Sequence, residues 1–178
     1  MENIVFDNVL FPRAKSLTLL LYDINGVALY IDLPNANRMS FVNFFQKKAT
    51  CHDHILANHQ KEITLFVYEE NIRWLIENLY FNQLLQIEKI NIYCSSEESQ
   101  QWWAEHTRRY RNKIQVPFLH HKLDFQLLLF GYKYLMDLLD QFPGKTAIQN
   151  RLKEDRRIIS EVLGRYFLSE ANSLNDDD

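Results

Sequence analysis

Glycine is scarce in this chain of 178 residues, which has four: Gly26, Gly131, Gly144 and Gly164. Loops that cradle phosphates need glycine at strand-to-helix turns, so that the backbone can approach the anion. None of the four stands at such a turn in the central part of the chain, which argues against a nucleotide site of the usual glycine-rich kind. Gly144-Lys145-Thr146 has the ending of a phosphate loop. Leu139 stands where the first glycine of that motif belongs, however, and the segment follows a helical pattern rather than a strand. Cysteine is as scarce: Cys51 and Cys94 are too few for a disulfide framework, and reduced thiols in a cytoplasmic setting are the expectation. No stretch approaches the roughly 18 continuous apolar residues that a membrane span needs. Residues 1–8 lack the basic and apolar regions of a secretory leader, so none is expected. A formal charge of -3 argues against a general polyanion binder.

Aromatic and aliphatic residues are plentiful, with 12 Phe, 9 Tyr and 3 Trp in a composition that is 47% hydrophobic. That is enough to bury the core of one domain. Their arrangement is more telling than their number. Apolar runs at residues 63–68, 90–94 and 114–119 are separated by helix-length amphipathic stretches at 71–85 and 97–111. Such alternation predicts a mainly parallel sheet covered by helices, with ligands and chemistry at the carboxyl ends of the strands. Before this unit, residues 1–16 read as irregular and residues 17–22 as a buried strand. Asn25-Gly26 before the run at 27–33 predicts a hairpin, because both turn residues tolerate positive φ. The alternative is a strand followed by a structured loop. Met39, Val42 and Phe45 (or Phe41) share one face of a predicted helix over 38–48, and a small helix is expected over 53–59. After the sheet, residues 123–141 are apolar on almost every side, as in a helix buried between layers. Pro143-Gly144 ends it, and a last helix runs from about 145 to 169, before a solvated acidic tail at 172–178. The expected organisation is an α/β domain over 17–142, then a C-terminal helical segment over 143–171 packed on it or at an interface.

Read in order, the strand ends carry Asp23, Glu69-Glu70, Ser95-Ser96 and Lys122. This order of acid, acid, hydroxyl and lysine resembles the receiver (CheY-like) domains of two-component signalling. The resemblance implies a three-layer flavodoxin- or receiver-like fold, here with two additional C-terminal helices. It also implies that Asp23 matches part of a magnesium-binding acidic pair, Glu69 the phosphoacceptor, Ser95 the hydroxyl and Lys122 the lysine. Only one acid follows the first strand, and Glu69 is longer than the aspartate of that family. Residues 16–112 are also similar to receiver-like modules found in many copies among rotifer proteins. In those modules a Cys-ended strand like the one ending at Cys94 precedes a polar loop and a helix with a Gln-Trp pair, as Gln101-Trp102. Both resemblances imply a pseudo-receiver, a scaffold without dependable phosphotransfer.

Other constellations have their own chemistry. Cys51, His52, His54 and His59 are zinc-capable types in one short segment, but no second ligand pair stands at a recognisable spacing, and a helix start capped by Asp53 or a neighbour accounts for them as well. Cys94, at a strand end, is placed as a nucleophile would be if His106 or His120 reached it, although a buried Cys more often acts as a small hydrophobe. Arg108, Arg109, Arg111 and Lys113 form the densest basic run, near Trp102, and suit either phosphate tracking with base stacking or the last turn of a helix. Ile148, Leu152, Ile159, Val162 and Tyr166 recur near a seven-residue spacing, interrupted by Asp155; the stripe fits packing on the domain or a seam for a protein partner or homodimer. The resulting expectation is a non-catalytic protein–protein interaction or regulatory module without cofactor. The alternatives are a small hydrolase or transferase using Cys94 or Glu69, and a nucleic-acid-binding module using the basic run.

Overall fold

The computed structural model describes residues 15–22, 42–77 and 85–175. Five parallel strands form one sheet: β1 (Ser16–Leu21), β2 (Val42–Phe45), β3 (Glu62–Tyr68), β4 (Ile87–Cys94) and β5 (Phe118–Leu119), in the order β2-β1-β3-β4-β5. This is the order of flavodoxin-like doubly wound folds. Five α-helices accompany it among the described residues: α1 (Lys48–Ala57), α2 (Glu69–Glu77), α3 (Glu97–His106), α4 (Leu123–Gln141) and α5 (Thr146–Asn175). A parallel sheet is covered on both faces, and its inner strands therefore read as near-continuous apolar runs. The burial follows that rule: every residue of β3 after Glu62 is buried, as are Leu17, Thr18, Leu19, Leu20 and Leu21 in β1.

One face of the sheet offers Leu19, Leu21, Leu65, Val67, Ile90 and Ile92 to α1, α2 and α3, through Cys51, Ile55, Ile72, Leu75 and Trp103. The other face offers Leu20, Phe66, Tyr68, Tyr93 and Phe118 to α4 and α5. It is richly aromatic, with Phe66 edge-on to Phe130 and Tyr68 beside Tyr93. The buried Tyr93 hydroxyl donates to the Leu21 carbonyl oxygen at 3.0 Å, which ties β4 to the end of β1 across the intervening strand. Helices α4 and α5 run antiparallel: Phe125, early in α4, stacks on Tyr166, late in α5, while Met136 meets Arg156. The turn between them uses Gly144 at φ +75°, the left-handed position that glycine takes without penalty after a helix.

Several expectations need correction. The predicted helix over 38–48 gives way to strand β2 at Val42–Phe45, which lies parallel to β1. A four-residue edge strand with one fully buried side chain has too little pattern to separate it from a helical turn. The expected hairpin partner at 27–33 lies outside the described residues. Both edges of β1 over Thr18–Leu21 are nevertheless taken, by β2 and β3. Helix α1 begins at Lys48 rather than near 53, so Asp53 lies mid-helix and caps nothing. The last strand is interrupted: Ile114 makes an isolated bridge to Ile90, and regular pairing resumes only at Phe118. Helix α3 stops at His106 before a 3-10 turn at Arg108–Tyr110, and α5 continues to Asn175, into the expected tail.

Candidate functional site

The carboxyl ends of β3 and β4 open into a cleft of about 910 Å³ between α2 and α3. Strand register builds it. Tyr68 pairs with Tyr93 as the last partners of β3 and β4, which sets Glu69 beside Cys94 and Ser95. No loop separates β3 from α2: Tyr68 ends the strand and Glu69 begins the helix. Carboxylates in a first helical turn are favoured by the macrodipole, and Glu69 and Glu70 both stand there. Across the cleft, Ser96 caps α3 by accepting from the Ser99 backbone N–H at 3.2 Å, with Glu97 and Glu98 in the first turn.

Glu69 is only 6% exposed. Its Oε1 accepts from the Ser95 backbone N–H at 2.9 Å and from the Ser95 hydroxyl at 2.5 Å. Its Oε2 is buried without a hydrogen-bond partner among the described residues. The Tyr68 phenol is pushed up by burial, opposed by its contact with Ser95 and reinforced by the nearby carboxylates of Glu69 and Glu70. Burial, then the charge and hydrogen bonding of Glu69, push the Cys94 thiol up to about 12. A nucleophilic cysteine needs the opposite shift. His120, the histidine one strand later, meets the Cys94 backbone oxygen through Nδ1 at 3.3 Å.

Of the receiver-like set, then, the structure joins Glu69 and Ser95. Lys122 is exposed in the 3-10 turn before α4, and among the described residues no ion pair links it to Glu69. Asp23 lies outside the described residues.

The zinc-capable segment is spread along α1. Cys51 is buried, with its thiol pushed up to about 12, and Phe45 packs 5.1 Å from the ring of His54, whose pKa burial lowers. His52 lies edge-on to Trp74 and 3.9 Å from Asp53, and His59 is exposed beyond the helix. Among the described residues no group of three or more His, Cys, Asp or Glu side chains is placed to hold a metal ion.

Arg108, Arg109 and Arg111 are exposed and Lys113 is half-buried, at the far end of α3 from the cleft. Ten residues of helix separate the two places by about 15 Å. Trp102 is no open base-stacking platform, because His106 stacks on it at 3.8 Å and the Arg73 guanidinium lies 5.9 Å from its ring centroid. Arg109 in turn lies over Tyr110.

The helical stripe packs within the chain. Leu152 and Ile159 are fully buried against the α4 side of the core, Ile148 and Val162 pack on the same cluster, and Tyr166 stacks on Phe125 at 4.3 Å. Asp155 is buried on that seam and pairs with Arg151 at 3.4 Å. Lys145 of the phosphate-loop mimic lies over the Phe142 ring, 5.7 Å from its centroid.

The cleft also contains residues that the sequence did not single out: Arg73, Ser99 and the cleft-facing role of Glu98. Arg73 follows Glu70 by three positions and so shares its helix face, a signal present in the sequence. No family model matches this chain, nor does any curated protein or solved structure. No described helix is long and apolar enough to cross a membrane.

Proposed function

We propose that the chain is a non-catalytic protein–protein interaction module with a regulatory role, built on a degenerate receiver-like scaffold. What carries the reading is the state of Glu69. At the position that the resemblance gives to a phosphoacceptor stands a carboxylate that is 6% exposed and already bonded twice to Ser95 through one oxygen. An acceptor must meet an incoming phosphoryl group in line; this one closes the gap between two strand ends. The neighbouring thiol of Cys94, raised to about 12, is in the wrong protonation state for attack at neutral pH. The cleft above these groups is open, walled by Trp102 and Trp103 and rimmed by charge, which suits recognition of a partner surface. Signalling as the setting, and the cytoplasm as the compartment, belong to the same proposal.

Acetyl phosphate with Mg²⁺ tests the reading. Intact mass should remain unchanged after prolonged incubation. A stable phosphoryl adduct on Asp23 or Glu69 would restore the receiver chemistry and overturn the proposal.

A further inference from the structure

The far end of α3 leaves cations without counter-charges. Glu105 stands three and four residues before Arg108 and Arg109, the spacing at which a continuing helix would pair them. The helix does not continue: it ends at His106, and the chain turns through Thr107 into the 3-10 segment at Arg108–Tyr110. Neither arginine then forms an ion pair with Glu105, and the Arg109 guanidinium lies 4.8 Å from the ring centroid of Tyr110 instead. Arg108 and Arg111 are exposed, and their side chains make no ion pair, hydrogen bond or ring contact among the described residues. A second feature adjoins these two. The last strand, at the edge of the sheet, meets β4 at Ile114 and pairs with it again at Phe118 and Leu119, with Val116 and Pro117 between. The Gln100 side chain donates to the Pro117 carbonyl oxygen at 2.9 Å, which ties this stretch to α3. Beside it lies a hollow of about 280 Å³, lined by Ala104, Ile114, Val116 and Pro117 together with Arg108 and Arg111. Val116 is 79% exposed there, and its backbone N–H meets no acceptor among the described residues.

The geometry points to this hollow as the docking site for an acidic segment of a protein partner. A carboxylate of the segment pairs with Arg108 and Arg111, and a neighbouring apolar side chain enters the hollow against Ile114 and Val116. The charge decides the first half: two unpaired guanidinium groups repel each other, and a carboxylate matches the planar fork of either. The walls decide the second, because most of the lining is apolar. The volume lies below the roughly 300–1,000 Å³ of ordinary small-molecule sites, which favours one side chain of a segment over a whole ligand. Nucleic acid fits less well. Its phosphates would satisfy the arginines, but the aromatic faces nearby are taken, Trp102 by His106 and Arg73 and Tyr110 by Arg109, and single strands use such faces to hold their bases. The site is separate from the strand-end cleft, and the inference does not depend on the state of Glu69.

The test is calorimetric titration of the full chain with a short glycine- and serine-flanked peptide carrying a central Leu-Asp-Glu. The same peptide with Leu-Asn-Gln keeps the shape, loses the charge and serves as the control. The acidic peptide should bind at least about tenfold more tightly than its amide counterpart. Arg111→Met should weaken that binding by about fivefold, whereas Arg109→Met, which removes an equal charge from outside the hollow, should stay within about twofold of the parent. Val116→Asp should weaken it too, by setting a like charge beside the incoming carboxylate. Arg109, Arg111 and Val116 are all exposed, so the three variants keep the fold, which circular dichroism checks. No binding at about 1 mM peptide, equal binding of the two peptides, or an effect of Arg109→Met as large as that of Arg111→Met would overturn the assignment. So would a single-stranded oligonucleotide that binds more tightly than the peptide, or inorganic phosphate that displaces the peptide at equal concentration, since either would make the arginines a phosphate site.

Discussion

Removing the Ser95 hydroxyl should cost this fold more than an exposed serine usually does. The side chain sits at the surface, where most substitutions change stability by less than about 0.5 kcal/mol. Its oxygen nevertheless donates at 2.5 Å to Glu69, a carboxylate that has lost nearly all its water. A hydrogen bond to a charged, desolvated partner contributes roughly 1.5–3 kcal/mol. Ser95→Ala keeps the backbone N–H bond at 2.9 Å, so Glu69 loses the hydroxyl donor at a site only 6% exposed to solvent. The expected loss is therefore roughly 1.5–3 kcal/mol. With a urea m-value of about 2 kcal/mol/M, the midpoint followed by tryptophan fluorescence should fall by about 1 M. Glu69→Leu removes the carboxylate that the hydroxyl serves, so adding Ser95→Ala to it should have little further effect. The cycle should then show a coupling energy on the order of 1.5–3 kcal/mol. If Ser95→Ala lies within about 0.5 kcal/mol of the parent, or if the two penalties simply add, the carboxylate does not depend on Ser95 and the strand-end pin is not a structural device.

Two further outcomes follow from burial. The thiols of Cys51 and Cys94 are both raised to about 12, so iodoacetamide should label the native chain slowly across pH 7–9 and quickly only after unfolding; fast native labelling of Cys94 near pH 7 would revive the nucleophile reading. Asp155 has its pKa raised, chiefly by burial and against the pull of Arg151. The folded chain therefore holds that proton more tightly than the unfolded chain does. Ionised Asp155 thus subtracts stability at neutral pH, and the deficit disappears as pH falls through the raised value toward the ordinary aspartate range. Asp155→Asn should be at least as stable as the parent at pH 7 and should lose that component of the pH dependence. A clear drop in melting temperature at pH 7 would mean that the pair with Arg151 outweighs the burial.

How much of this was legible beforehand varies from element to element, for physical reasons. β3, β4 and α4 were plain, because a segment covered on both sides must be apolar throughout, and Leu123–Gln141 was bounded to the residue. β2 was missed at the edge, where Val42 alone is fully buried. The compact run Phe41-Val42-Asn43-Phe44-Phe45, rich in aromatic and β-branched types, was nonetheless a strand signal, and order β2-β1-β3-β4-β5 needs a strand there. The heptad-like stripe of α5 did not declare its partner, since a seam reads the same whether its other half is the same chain or another; here it packs into the core of its own chain, with Phe125 of α4 stacked on Tyr166.

The candidate site was half legible. The order of strand-end residues placed Glu69 near Ser95, because parallel strands in register bring successive ends together. It did not disclose that they bond to each other, and that depends on one methylene. An aspartate at this position would hold its carboxylate about 1.5 Å nearer its own backbone, one carbon–carbon bond short of the Ser95 hydroxyl. There it would stay open to a ligand from the cleft. The glutamate instead spans to the next strand and accepts both of Ser95's donors. With a single added bond, a carboxylate that would end short of the next strand becomes one that fastens two strands. A Glu69→Asp variant should therefore lose the link to Ser95 and regain solvent at the carboxylate. If it alone takes up phosphoryl groups from acetyl phosphate, the length of this side chain is what silences the scaffold; if Ser95→Ala has no effect in that background while costing stability in the parent, the shorter acid has indeed let go of its partner.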